Sequence, residues 1–195
     1  MKIANKFSLA FFVIAFLITS VTSSIIYFSV RAELHKEIES KLESVLHSRT
    51  NHIKMYLHML EDSVKKLSKS VVLENLLSIA DKKDPGYEKA FREAMFRLAR
   101  TKEVDNGIEE IFLLDALGNV VASSDAAGVG LNKSDKAYFI GGKKGVYIHD
   151  VYISTLARTP VIAVSAPLID GRTNRFLGMV VQRVKLDDLN SIATE

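Results

Sequence analysis

Lys136, Tyr138, Tyr152 and Arg183 are the residues whose types and spacing could do chemistry, and the chemistry is recognition rather than bond breaking. With Tyr147 and Arg158 they combine aromatic walls and a few cations, the ingredients of a site for a small anion or carboxylate. The competing reading is an amphipathic sheet whose polar side is solvated. No G-x-S-x-G, P-loop, H-E-x-x-H or dinucleotide fingerprint accompanies these residues. His35, His47, His52 and His58 all fall on one helical stretch. His47 and His58 share a face but lack the i,i+4 spacing of a zinc pair, so these side chains read as solvated or as flanking a coiled coil. His149 and Asp150 are neighbours on a strand, and neighbours on a strand point to opposite faces. The sequence has no cysteine, which excludes a thiol nucleophile and cysteine-ligated metal. An enzyme, a metal and a cofactor are therefore not expected.

These residues need a scaffold, and the sequence outlines one. Beyond Gly107 the pattern is that of strands: Ile108–Leu114, Val120–Ser123, Gly145–Val151, Pro160–Pro167 and Phe176–Leu186. Asp115-Ala116-Leu117-Gly118-Asn119 and Asp170-Gly171-Arg172-Thr173-Asn174 are hairpin turns. The long connection between the second and third strands, with a short helix at Ser134–Phe139, crosses the sheet, and such connections in small domains are usually functional. Before the strands, Tyr87–Lys102 reads as a helix with Phe91, Met95 and Leu98 on one face and Phe96 beside them. The expected class is α+β, an antiparallel sheet with helices packed on it.

The first part of the chain differs in kind. From Phe7 to Val30 no charged residue or histidine occurs, and a helix of that length spans a hydrocarbon core of about 30 Å. Lys2 and Lys6 precede it without an acid, whereas Arg31, Glu33, Lys36, Glu37 and Glu39 follow as a mixed-sign stretch. The positive-inside rule then places the N-terminus in the cytoplasm and the body outside. A cleaved signal peptide is the alternative, but the apolar run is long and lacks an A-x-A-like site. From Ala32 to Ile79 neither proline nor glycine interrupts, so the sequence predicts one long helix. Leu46, Ile53, Leu60 and Leu67 recur every seven residues. Its C-terminal half would lie on the core of its own domain. The half near the membrane, with Leu34, Ile38, Leu42 and Val45, would pair with a second copy as a coiled coil. Residues 1–6 would then be a cytoplasmic tail, 7–30 a transmembrane helix, 31–80 a stalk, 81–190 a sensor module and 191–195 the start of a further region. A chain of 195 residues holds one domain plus an attachment, and a net charge of +3 is too mild to indicate nucleic acid.

Phe112–Asp125, Val129-Gly130, Ser134-Asp135-Lys136-Ala137-Tyr138-Phe139, Val151-Tyr152-Ile153-Ser154, Pro160–Asp170 and Leu177–Val181 occur in that order behind a membrane helix and a long helix. The ensemble resembles the membrane-distal, PAS-like module of double-Cache sensor domains, found in chemoreceptors, sensor histidine kinases and diguanylate cyclases. The resemblance covers about residues 31–190. It implies a ligand-sensing module, dimeric through its stalk, that binds amino acids, amines or carboxylates and passes a conformational change to an output domain. It also implies that Lys136 and Tyr138 hold a ligand carboxylate and that Tyr152 lines the site. The positions where the family places acids for a ligand ammonium carry Ser154 and Arg183. A carboxylate-bearing ligand is therefore expected in preference to an amine, since an unpaired buried ammonium would cost several kcal/mol. On the same ground the chain is expected to be the front part of a longer receptor, with any kinase or cyclase beyond Glu195. A non-sensory, membrane-anchored interaction or assembly module remains the alternative.

Overall fold

The computed structural model describes residues 2–79, 81–154 and 158–186, with the side chains of 2–10 and 32 left out. Helix α1 runs Lys2–Ser68, α2 Val71–Ser78, α3 Tyr87–Val104 and α4 Ala137–Gly142. The strands are β1 Ile108–Asp115, β2 Val120–Ser123, β3 Tyr147–Ile153, β4 Pro160–Ile169 and β5 Phe176–Lys185. The chain divides into two compact units, residues 1–50 and 51–195.

The first unit is the N-terminal part of α1. It contains a stretch long and apolar enough to cross a membrane, with a mean hydropathy of 2.1 over an 18-residue window. Phe11, Phe12, Phe16, Ile25 and Ile26 are all exposed within the chain. Thr19 and Thr22 donate their hydroxyls to the carbonyls of Ala15 and Ile18, each at 2.8 Å. That is how a hydroxyl is tolerated where no water is present. Leu34, Ile38, Leu42 and Val45 are exposed further along the helix.

In the second unit the sheet order is β2-β1-β5-β4-β3, and every pair is antiparallel. The α+β expectation, helices on an antiparallel sheet, is what the structure shows. One face, carrying Ile111, Leu113, Val164, Val180 and Val184, is covered by α2, α3 and the end of α1. The other face, with Phe112, Leu114, Ala163, Met179 and Val181, is covered by α4 through Tyr138 and Phe139. Alternation of side chains along each strand separates the two cores.

Leu60, Val64 and Leu67 are buried, so the C-terminal half of α1 does lie on its own domain's core. The helix expected to continue to Ile79 instead stops at Ser68. Ser70 is extended (φ −73°, ψ 120°) and starts α2. The break turns Leu73 and Leu76 onto the sheet, where both are buried. Serines at 68 and 70, which compete with the helix for backbone partners, mark the place. On α3 the buried stripe is Ala90, Ala94 and Leu98, while Phe91 and Met95 are half-buried and Phe96 is exposed. Phe96, two residues from both Ala94 and Leu98, falls on the opposite side of the helix from that stripe.

The turns follow from short polar side chains. Asp115 Oδ1 accepts from the amides of Leu117 and Asn119, both at 2.9 Å. Gly118 adopts φ +85°, and a Cβ there would lie 2.7 Å from Ser134, so only glycine fits. Asp170 Oδ1 accepts from the amides of Arg172 and Thr173 at 2.8 and 3.0 Å, which holds the β4–β5 turn.

Candidate ligand site

The α4 side of the sheet carries the polar side chains, and two local irregularities put them there. In β1, Ile108 faces Val184 and Glu110 faces Arg183, so two residues of β1 oppose one of β5. This bulge brings both Glu109 and Glu110 to Arg183. In β3, His149 faces Ala163 and Tyr152 faces Val161. Three steps on β3 match two on β4, so His149 and Tyr152 emerge on the same side. Their ring centroids are 5.1 Å apart.

Arg183 is 3% exposed. Its Nε lies 3.0 Å from Glu109 Oε2, and its Nη2 donates to Glu110 Oε2. Ser123 Oγ donates to Glu110 Oε1 and Ser154 Oγ to Glu109 Oε1, each at 2.6 Å. The expectation that Arg183 stands without an acid is therefore corrected: β1 supplies two. Removing Arg183 would leave two buried carboxylates uncompensated.

Lys136 sits at the start of α4, exposed, with its Nζ 2.9 Å from Asp135 Oδ2. The cation that enters the site is Lys133, three residues earlier. It is 8% exposed, and its Nζ lies 3.9 Å from the centre of the Phe112 ring. Burial lowers its pKa below the ordinary lysine value, opposed by the charge of Glu110. Tyr138 is buried against Phe112, His149 and Tyr152, with centroids at 6.0, 6.3 and 6.5 Å. Burial raises the pKa of Tyr138 and of Tyr152, so both are neutral phenols. The Tyr152 hydroxyl lies beside the Arg183 guanidinium without the alignment of a hydrogen bond. It and Thr159 Oγ1 are buried polar atoms with no hydrogen-bond partner among the described residues. Tyr147 lies against Gly141, where a Cβ would come 2.6 Å from its ring. Arg158 is exposed, at φ 57°.

The fold thus brings Tyr138, Tyr152, Ser154 and Arg183 together and leaves Lys136 at the rim. Sequence reasoning missed Lys133, Glu109, Glu110 and the ring of His149. One signal was available: two adjacent acids inside an otherwise apolar strand need a buried cation. The bulges that aim Glu109 and His149 had no comparable signal. Among the described residues no cluster of histidine and acid side chains suited to a metal ion occurs.

No family model matches the chain, and no curated protein matches it. Solved structures do. The sensor domain of the histidine kinase DctB of V. cholerae superimposes with a TM-score of 0.67 at 20% identity, over 80% of this chain and 59% of that one. The ligand-binding domain of the Pseudomonas aeruginosa amino acid chemoreceptor PctC, in complex with GABA, gives 0.58 at 14% identity, over 80% and 68%. The ligand-binding domain of the Campylobacter jejuni chemoreceptor Tlp3, in complex with L-valine, gives 0.53 at 16% identity, over 78% and 64%. The chain therefore shares its fold with bacterial sensor domains and spans about three-fifths of the DctB domain.

Proposed function

We propose that this chain is the ligand-sensing part of a membrane-anchored signal-transduction receptor, with the sensor module outside the cytoplasm and the ligand held on the α4 face of the sheet. Within that reading the module is the membrane-distal one of a double-Cache domain. The helix over residues 7–30 crosses the membrane, and 31–80 links membrane to sensor. The observation that carries the reading is the convergence of Lys133, Tyr138, Tyr152 and Arg183 on one face, where the buried Tyr152 hydroxyl has no aligned hydrogen-bond partner among the described residues. A buried hydroxyl without a partner costs about 1–3 kcal/mol, and a ligand that bonds it recovers that energy.

The ligand carries a carboxylate. Lys133, whose Nζ lies over the Phe112 ring, Lys136 at the start of α4 and Tyr152 are the groups that hold it. Glu109 and Glu110 remove the earlier objection to a ligand ammonium, because the site has its own acids. A zwitterion such as the GABA of PctC or the valine of Tlp3 is thus as compatible as a plain carboxylate. Binding would shift α4 and β3 relative to α1, and α1 leads directly into the membrane segment. Two copies paired along Leu34, Ile38, Leu42 and Val45 would carry the shift inward.

Thermal stabilisation of the full chain by a panel of carboxylates, amino acids and amines tests this. Stabilisation by one chemical class, lost in the double variant Lys136→Ala with Tyr152→Phe while the unliganded melting temperature stays within about 2 °C, is the expected result. Tight binding of an amine with no carboxylate would sink the carboxylate assignment. If no member of the panel binds, the alternative of a non-sensory assembly module gains.

A further inference from the structure

The opposite face of the sheet holds a largely apolar recess with a buried amide at its floor, unrelated to the α4 side. It lies between the end of α1 and α3, with β5 as its floor, and measures about 400 Å³. Met59, Leu60 and Val104 form its apolar walls. Gln182, the residue before Arg183, points the other way and forms the floor; it is 1% exposed. Its Oε1 accepts from Ser63 Oγ at 3.3 Å, while its Nε2 is buried with no partner among the described residues. Arg97 stands exposed at the mouth with no ion pair among the described residues, and Arg100 beside it is held by Glu103 at 3.1 Å. Asp105 is the acid on this wall, and its Oδ1 is taken by the Gly107 amide at 2.9 Å. The recess opens past Met59 and Arg97 into a second hollow of about 480 Å³, bounded by Met55, Leu67 and Thr101 with His58, Asp62 and Lys66 at its solvent edge.

A buried amide donor thus lies at the floor and the Arg97 guanidinium at the mouth, and thioether and alkyl groups line the way in. We propose that this recess binds a small amphipathic carboxylate, its oxygens accepting from Gln182 Nε2 and Arg97 and its alkyl part lying along Met59 and Met55. A carboxylate oxygen accepting from Gln182 Nε2 restores the hydrogen bond that the buried amide lacks, and the Arg97 guanidinium at the mouth complements its charge. The ligand would bridge α1, α3 and β5. Because Gln182 and Arg183 are consecutive on β5, occupancy on the helical face would act on the strand that holds the buried ion pairs of the other face. The inference goes beyond the α4-side reading and stands without it.

The test is ¹⁹F NMR of 4,4,4-trifluorobutyrate with the full chain in lipid nanodiscs, against empty nanodiscs and against neutral 4,4,4-trifluorobutanol. Saturable broadening by the carboxylate, at least tenfold weaker for the alcohol, is expected. It should persist in the Lys136→Ala, Tyr152→Phe chain, which impairs the α4-side site. Arg97→Glu, at an exposed position, should then weaken it at least tenfold. Gln182→Leu, which removes the unpartnered amide, should weaken it severalfold without lowering the melting temperature, and it decides the matter alone if Arg97→Glu does not fold. The proposal is overturned by any of three results: no saturable broadening, equal binding of the alcohol, or binding that survives both Arg97→Glu and Gln182→Leu. Complete loss of binding in the Lys136→Ala, Tyr152→Phe chain would overturn it too, while supporting the α4-side site.

Discussion

His149 and Tyr152 lie with ring centroids 5.1 Å apart on one face of the sheet, although they are three positions apart on a strand. Regular alternation would place them on opposite faces. The bulge between them absorbs one residue, and both rings then meet Tyr138. The shared face of His149 and Tyr152, three positions apart, therefore depends on a single extra residue in β3.

Deletion of Asp150 should consequently remove the bulge while leaving His149 and Tyr152 two positions apart, on one face by regular alternation. β3 is the last strand of the sheet, so the fold should survive with a modest loss of stability. Ligand-induced stabilisation should be retained. Circular dichroism and a thermal shift titration check this, and loss of ligand stabilisation in a folded chain would show that the bulge does more than set the face of Tyr152.

The Arg183 cluster predicts an asymmetry. Arg183→Met leaves the buried carboxylates of Glu109 and Glu110 without their cation and should cost about 3–5 kcal/mol in urea unfolding. Arg183→Met combined with Glu109→Gln and Glu110→Leu removes all three charges and should be markedly less destabilising than the single change. Equal destabilisation by the two would mean that the ion pairs themselves, not the uncompensated charges, set the cost.

Alkaline titration should show two opposing trends. Burial lowers the pKa of Lys133 below the ordinary value of 10.5. Between the folded and unfolded values the unfolded chain binds more protons, so this group makes stability rise with pH in that window. The affinity for a carboxylate should fall over the same window, because the lysine loses its charge. Burial raises the pKa of Tyr138 and Tyr152. Above the ordinary tyrosine value of 10.0 the unfolded chain releases protons that the folded one keeps, and stability then falls with pH. Calorimetric melting across the alkaline range, with Lys133→Met as the control that removes only the rising trend, separates the two.

Gly178→Ala should destabilise by at least about 1–3 kcal/mol. A Cβ there would strike the Leu114 carbonyl oxygen and come within 2.9 Å of Leu77 Cδ1. The backbone of β1 cannot retreat without breaking its ladder with β5. An unchanged melting temperature would show that the sheet relaxes more readily than this packing implies.

A reporter fused after the last residue should be active outside the cytoplasm and silent inside it. Activity in the cytoplasm would refute the orientation drawn from Lys2 and Lys6.

Much of the architecture was legible in the residues. Strand alternation, the Asp-led turns and the stripe through Leu60 and Leu67 gave the strands within one or two residues and correctly laid the end of α1 on the core. Each is a local signal, readable because side-chain period and turn chemistry act over a few residues. The halt of α1 at Ser68 was not legible, since nothing there forbids a helix. It comes from the gain in burying Leu73 and Leu76 on a sheet formed more than thirty residues later.

The sequence by itself determined the apolar helix, the α+β class, and the aromatic and cationic character of one surface. Which cations face inward was settled only by the tertiary structure. Lys133 and Lys136 are equivalent in the chain, yet one lies over Phe112 and the other on Asp135 at the rim. Glu109 and Glu110 are neighbours on β1, and it is the β1 bulge that directs both to Arg183. Residue type sets what a side chain can do. Register, which depends on how distant strands align, sets which side of the sheet it does it on.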